Sequence, residues 1–169
     1  IPSTRTKRDP RRVSENQAAC VTRPAHTVRA ARVALSEAAA AADFALPVNE
    51  DDLPGEGALR RYDGYVKRWQ EARFEWAQRT EADQNSVVFL GDSITQGWGN
   101  HCKGLFPGMK LANRGIGGDT TRGMLIRLQQ DVLSLHPKAI VMLMGTNDLE
   151  VQIEPEIAAN NLKLILSAI

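Results

Sequence analysis

Three short candidate strands, each followed by a glycine and a polar loop, constrain the fold of this chain more than any other feature. Residues 87–90 and 139–144 are apolar throughout, 110–113 is a weaker candidate, and 121–135 has the apolar spacing of a helix. Strands that are apolar on both faces and alternate with helices are typical of a parallel sheet covered on two sides. We therefore predict an α/β fold, a three-layer α/β/α sandwich.

Helical patterns lie on either side of these strands. Residues 62–76 place apolar and aromatic side chains at steps of three and four, and a second apolar stripe runs from Pro155 to Ile169. We expect Trp69 and Trp76 to be core residues rather than ligand contacts. The predicted core face of the helix after the second strand consists of Leu125, Leu128, Val132 and Leu135.

The charge of the chain is unevenly distributed, although its formal net charge is only +1. Residues 1–35 carry eight basic and two acidic side chains, and no aromatic residue precedes Phe44. A segment of this composition buries too little apolar surface to offset the entropy of ordering. We divide the chain into a disordered basic and Ala-rich segment (1–43), an acidic Pro/Gly linker (44–58) and a domain (59–169).

The sequence of the N-terminal segment does not decide between two cellular locations. Residues 23–43 combine a basic flank, an apolar middle and small residues, as a secretory signal does, but Glu37 interrupts the apolar part. A signal remnant predicts a secreted or periplasmic protein, whereas a polyalanine-rich tract predicts a cytoplasmic one. The basic arm lacks stacking aromatics, so we expect no nucleic-acid partner. No run of about 18 apolar residues exists, so we expect no membrane span.

A polar loop follows each predicted strand, over residues 91–98, 113–121 and 145–148. In open α/β sheets, reactive groups lie just past the carboxyl ends of the strands. The sequence therefore predicts that Ser93 and Asn147 share one edge of the sheet although they are far apart in the chain.

These loops contain the groups that acyl transfer requires. Ser93 lies at a strand-to-helix turn, where unpaired N–H groups and the helix dipole favour negative charge. Its hydroxyl can attack a carbonyl while its own N–H faces the oxyanion. Gly117 and Gly118 offer a backbone that can approach closely, and the Asn147 amide can be a third donor. Each such donor is worth about 2.7–4 kcal/mol of transition-state stabilisation.

The motifs Gly91–Ile94, Gly115–Thr121 and Gly145–Asp148 resemble the first three blocks of the SGNH, or GDSL, hydrolase superfamily. The second block is most similar to the branch of platelet-activating-factor acetylhydrolase subunits and bacterial sugar-ester esterases. The resemblance covers about residues 59–169. It implies a parallel flavodoxin-like sheet, with Ser93 as nucleophile and the Ser93 N–H, the Gly118 N–H and the Asn147 side chain as oxyanion hole.

The resemblance also implies a substrate class: a carboxylic ester of a small molecule or carbohydrate, with a short acyl group, cleaved without a cofactor or metal. Asp92, Asp119 and Asp148 each follow a turn glycine or begin a helix, so we interpret them as helix caps rather than as a metal site. We expect no disulfide between Cys20 and Cys102, because Cys20 lies in the segment predicted to be disordered and Cys102 lies in the predicted domain.

The chain departs from the family pattern in its general base. These hydrolases use an Asp-x-x-His near the C-terminus, and none of His26, His101 and His136 has an aspartate three residues before it. We expect His136 to cap a helix end. We expect the chain to be an incomplete piece, with only the first three strands of the sheet and an unpaired edge on the third that promotes self-association. Such a piece should barely hydrolyse p-nitrophenyl acetate, and a longer version should do so readily.

Two other functions compete with an ester hydrolase. A nucleotide cradle at Gly115–Asp119 is disfavoured because Thr120 stands where the dinucleotide fingerprint needs glycine, and no phosphate-loop motif exists. A catalytically inactive SGNH-like module that binds carbohydrate or protein stays open, because it has the same sequence features over these residues.

Overall fold

The structure is a computed structural model that describes residues 44–100 and 102–169. The segment 1–43, with the signal-like stretch, Cys20 and His26, lies outside the described residues, as does His101. Predictions made for those positions stay predictions. No helix in the described part of the chain has the length and apolar content needed to cross a membrane.

Helices and strands alternate as predicted. The elements are α1 (Asp63–Ala77), β1 (Val87–Gly91), α2 (Ser93–Gln96), β2 (Leu111–Gly115), α3 (Thr121–Asp131), β3 (Ala139–Leu143), α4 (Thr146–Glu150) and α5 (Pro155–Ala168). The helix predicted over 121–135 ends at Asp131 and continues as a 3₁₀ turn over Leu133–Leu135. His136 follows that turn with a positive φ of 46° and caps it, as predicted.

The three strands form one parallel sheet in the order β2–β1–β3. Val87 is in register with Leu111 and Ala139, and Gly91 is in register with Gly115 and Leu143. The strands therefore end at the same level, and the loops that follow them lie at one edge of the sheet. This arrangement confirms the predicted parallel α/β fold and matches the start of the flavodoxin-like strand order.

The main core lies on the face of the sheet that α3 and α5 cover. Val88 and Leu90 of β1 pack there against α3, and Ile165 of α5 closes the cluster. The four leucine and valine positions predicted as the inner face of this helical segment are all buried. Removing this apolar surface from water stabilises the fold, at about 25 cal/mol per Å².

The opposite face of the sheet is covered unevenly, at β1 but not at β3. Phe89 of β1 packs against Trp98 and Phe106, with ring centroids 5.7 Å apart in both pairs. On β3, however, Val141 and Leu143 are 46% and 41% exposed. β3 is also an outer strand of the described sheet. Apolar character alone therefore does not bury a strand residue, because another element of the fold must pack over it.

Helix α1 packs through its aromatic stripe, as predicted. Tyr65, Trp69 and Trp76 are buried together with Leu59 and Ile116. The preceding residues 44–58 have no helix or strand, yet they bind the domain: the Glu56 N–H donates to Asn161, 3.0 Å away. The predicted boundary at residue 59 stays a prediction, and the segment before it is in contact with α5.

We predict that Gly115→Ala destabilises the fold. A methyl group at Gly115 would lie 2.3 Å from the backbone nitrogen of Gln96, so α2 would have to shift away from β2. Overpacking of this kind costs about 1–3 kcal/mol, measurable as a lower urea midpoint. Gly64→Ala is the matched control, because the nearest atom to its methyl group would be 3.4 Å away. Equal stability of the two variants would contradict the prediction.

Candidate active site

Ser93 begins α2 immediately after β1 and is exposed. Asp92 caps this helix: its side chain accepts the Ile94 N–H at 2.9 Å, which confirms its predicted capping role. Helix α2 has only four residues, so the helix-dipole argument made from the sequence carries little weight here. The local contribution that remains is the Ser93 N–H, which has no backbone acceptor among the described residues.

The loop after β2 lies beside Ser93. A methyl group at Gly117 would be 3.6 Å from Ser93 Cβ, and the Gly117 N–H donates to Gln96 Oε1 at 2.9 Å. The next residue, Gly118, has a φ of +90°, a conformation that favours glycine. Within the described chain, the Gly118 N–H has no hydrogen-bond acceptor. An unpaired donor therefore belongs to the residue that follows Gly117, whose backbone lies beside Ser93.

Asn147 reaches the same edge from α4. Its side chain is buried, and Nδ2 donates one hydrogen to the Asp119 carbonyl oxygen at 2.8 Å. Because a carboxamide nitrogen carries two hydrogens, a second donor is left. Asp119 follows Gly118 in the chain, so this contact places the Asn147 side chain at the same loop as the Gly118 N–H. The structure thus brings the three predicted site residues to one edge, Ser93 through Gly117 and Asn147 through Asp119.

A buried polar cluster below the loop was not predicted from the sequence. The Asp119 carboxylate accepts a hydrogen bond from the Tyr65 hydroxyl at 2.8 Å and one from Arg127 Nε at 2.8 Å. Burial raises the pKa of Tyr65, and the Asp119 charge raises it further, so Tyr65 remains a donor. Burial also raises the pKa of Asp119, whereas Arg127 and Tyr65 act in the opposite direction.

Asp119 is therefore a partner of α1 and α3 side chains, and its interpretation as a helix cap was wrong. The physical reason is that Thr120 takes the capping position: its side chain accepts the Gly123 N–H at the start of α3. With its own backbone carbonyl bound to Asn147, Asp119 connects the buried ion pair to the candidate site.

Asp148 joins the loop after β3 to the N-terminus of α3. Its carboxylate accepts the Thr121 N–H at 2.9 Å and the Thr121 hydroxyl at 2.6 Å. Asn161 of α5 donates to the same hydroxyl at 3.0 Å. Asp148 thus supplies a capping acceptor to α3 from another element, not to its own helix. No group of metal-ligating side chains occurs among the residues that the structure describes.

Asn113 is a further buried polar residue whose role was not predicted from the sequence. It donates to the carbonyl oxygens of Thr95 and Gly99, at 2.6 Å and 3.0 Å. These bonds hold the C-terminal end of α2 against β2, and so fix the element that carries Ser93. An asparagine inside a predicted strand was the only available signal, and it does not indicate which carbonyls it binds.

His136 is the one histidine in the described part of the chain. It lies at the amino-terminal end of the strands, whereas Ser93 lies at their carboxyl end. It precedes β3, whereas Ser93 follows β1, which runs parallel to β3. Each strand has five residues, so the two residues are separated by about 16 Å or more. His136 Nδ1 contacts Gln84 Oε1 at 3.0 Å instead. His136 is thus not placed to accept a proton from Ser93.

Fold and loops together define an α/β domain whose serine, glycine-rich and asparagine loops meet at the carboxyl edge of a parallel sheet. Residues 89–169 match the GDSL-like Lipase/Acylhydrolase family. The resemblance predicted from the sequence is thereby confirmed for this part of the chain.

Curated relatives and a solved structure agree with this assignment. The chain is 31% identical over 106 residues to the platelet-activating factor acetylhydrolase IB subunit alpha1 of Rattus norvegicus, covering 60% of this chain and 41% of the relative. It is 32% identical over 109 residues to the Homo sapiens alpha2 subunit, covering 63% and 43%. The chain thus spans about two fifths of the length of these relatives.

The solved structure is a GDSL-like lipase from Bacteroides thetaiotaomicron. It superposes with a TM-score of 0.51 at 27% identity, covering 57% of this chain and 51% of that one. The similarity in three dimensions therefore extends over more than half of this chain.

Proposed function

We propose that this protein hydrolyses carboxylic esters, with Ser93 as nucleophile and the Ser93 N–H, the Gly118 N–H and the Asn147 side chain as oxyanion hole. The single observation that supports this most is the convergence of a serine and three donors with free hydrogens on one edge of the sheet. Donors aimed at a developing negative charge are the main source of rate enhancement in acyl transfer.

The proposed reaction has two steps. Ser93 Oγ forms a bond to the ester carbonyl carbon, the C–O bond to the alcohol breaks, and the alcohol leaves with a proton. Water then cleaves the acyl-serine and releases the acid. The serine proton needs an acceptor, and the Asp-x-x-His that resembling enzymes use is absent from this sequence. By resemblance, we propose a short acyl group on a small-molecule or carbohydrate alcohol, and no cofactor.

A second candidate function is a binding module for carbohydrate or protein. It stays open because such a module would have the same sequence features over these residues. Such a protein would use the same loops to bind a ligand without forming an acyl intermediate. The β3 edge, with Val141 and Leu143 exposed, is also a proposed surface for self-association.

Labelling with a fluorophosphonate probe tests the nucleophile. Because the Asp-x-x-His base is absent from this sequence, we expect slow labelling: the folded chain should gain one probe adduct over a long incubation, mapped to Ser93 by peptide mass spectrometry, and the urea-unfolded chain should gain none. Ser93→Ala should abolish the adduct, and Ser167→Ala, at an exposed position on α5, should retain it. An unlabelled Ser93 in the folded protein would favour the binding module.

A further inference from the structure

The peptide that carries the proposed Gly118 donor is held by a residue of α1. Arg68 Nε donates to the Gly117 carbonyl oxygen at 3.2 Å, and Arg68 Nη2 donates to the Tyr62 hydroxyl at 2.8 Å. The guanidinium also lies 5.7 Å from the centre of the Tyr62 ring. Arg68 is half-buried and is not part of the apolar stripe of α1. Its contacts connect α1 to the glycine loop.

We propose that Arg68 is a positioning residue that fixes the direction of the Gly118 N–H; this inference rests on the proposed function. In a trans peptide, the C=O and the following N–H point in opposite directions. The described residues contain no cis peptide bond. Because Arg68 draws the Gly117 carbonyl toward α1, the Gly118 N–H points away from α1.

An external contact is needed because the loop does not fix this peptide by itself. Gly117 and Gly118 have no side chains, and glycine populates φ values of both signs with similar ease. A rotation of the peptide that joins them would point the Gly117 carbonyl oxygen in the direction that the Gly118 N–H now takes. That oxygen would repel a developing oxyanion. The Arg68 hydrogen bond opposes this rotation.

Gln96 holds the peptide that precedes Gly117. Its Oε1 accepts the Gly117 N–H at 2.9 Å, and Gln96 lies one helical turn after Ser93. The peptides on both sides of Gly117 are therefore held, one by the helix of the nucleophile and the other by α1. The positive charge of Arg68 also polarises the Gly117–Gly118 peptide, which strengthens its N–H as a donor.

Steady-state hydrolysis of p-nitrophenyl acetate by the full chain tests this proposal. We expect Arg68→Gln to lower kcat by roughly tenfold, less than the 10²–10³-fold typical of losing a donor outright, while KM stays within about twofold of the wild-type value. Arg68→Lys should recover part of kcat because it keeps the charge and one donor. The matched control is Lys67→Gln, since Lys67 makes only an exposed 3.9 Å contact with Glu71.

Two further measurements separate orientation from general loss of structure. Tyr62→Phe removes an acceptor that holds Arg68 and should give a smaller fall in kcat in the same direction. In ¹H–¹⁵N spectra, Arg68→Gln should shift the Gly118 amide resonance and leave the α5 resonances unchanged. Equal kcat values for Arg68→Gln and Lys67→Gln, or an unshifted Gly118 amide, would overturn the proposal. A wild-type chain unlabelled at Ser93 would instead overturn the proposed function.

Discussion

Replacing Asn147 with alanine is expected to slow ester hydrolysis by about 10²–10³-fold, the usual cost of removing one oxyanion donor. The structure leaves one Nδ2 hydrogen of Asn147 free, because the other binds the Asp119 carbonyl. This effect should be visible even at a low basal rate. In serine hydrolases that lack their base, the oxyanion hole and substrate binding still give about 10³–10⁴-fold acceleration over water.

The measurement is the initial rate with p-nitrophenyl acetate, compared with that of the wild type. Asn147→Ala also leaves the buried Asp119 carbonyl without its partner, so the unfolding midpoint must be recorded for each variant. Asn160→Ala is the matched control, because Asn160 is an exposed α5 residue whose side chain accepts a hydrogen bond from Lys163. An Asn147→Ala variant that is folded and as active as this control would exclude Asn147 from the oxyanion hole.

Asp119→Asn is expected to destabilise the protein by about 3–5 kcal/mol, the cost of leaving one charge of a buried ion pair without its partner. Asp119 and Arg127 are both fully buried, and Arg127 Nε lies 2.8 Å from Asp119 Oδ2. The other bonds of Arg127 go to backbone carbonyls, and the nearest other carboxylate, Asp131, is 3.9 Å from Nη1. Those contacts do not replace the negative charge that Asp119→Asn removes.

Urea unfolding followed by circular dichroism measures this effect. Glu150→Gln is the control, since its ion pair with Arg60 involves a glutamate side chain that is 65% exposed. Exposed pairs contribute about 0–1 kcal/mol. Adding Arg127→Met to Asp119→Asn should recover part of the stability, because the unpaired charge is removed. A loss below 1 kcal/mol for Asp119→Asn would show that Arg127 does not depend on this carboxylate.

Asn147 and Asp119 also connect the candidate site to the buried core. Asp119 binds Arg127 and Tyr65 through its side chain and Asn147 through its backbone carbonyl. Disruption of the ion pair should therefore disturb the Asn147 carboxamide as well. We expect Asp119→Asn to lower activity even under conditions in which the variant remains folded.

The sequence by itself determined the elements and the edge at which the candidate site lies. The apolar strand at Val87 and the helical spacing of Leu125 and Leu128 are local patterns, and the side-chain periods of strands and helices follow from backbone geometry. Parallel strands that end in register bring their loops together, so Ser93 and Asn147 could be placed on one edge without coordinates. The Gly115–Thr121 motif could be placed at the same edge for the same reason, because it follows the second strand.

Only the tertiary structure decided which partners the polar side chains take. Arg68 binds Gly117, 49 positions away, and Tyr65 binds Asp119, 54 positions away. The apolar spacing of the helix predicts that Tyr65 is buried but not which acceptor its hydroxyl binds, and no local pattern distinguishes Arg68 from solvated residues on the same helix. The exposure of Val141 is likewise set by what packs on β3, not by its own apolar character. Hydrogen-bond partners and burial depend on contacts between distant segments, and those exist only once the chain has folded.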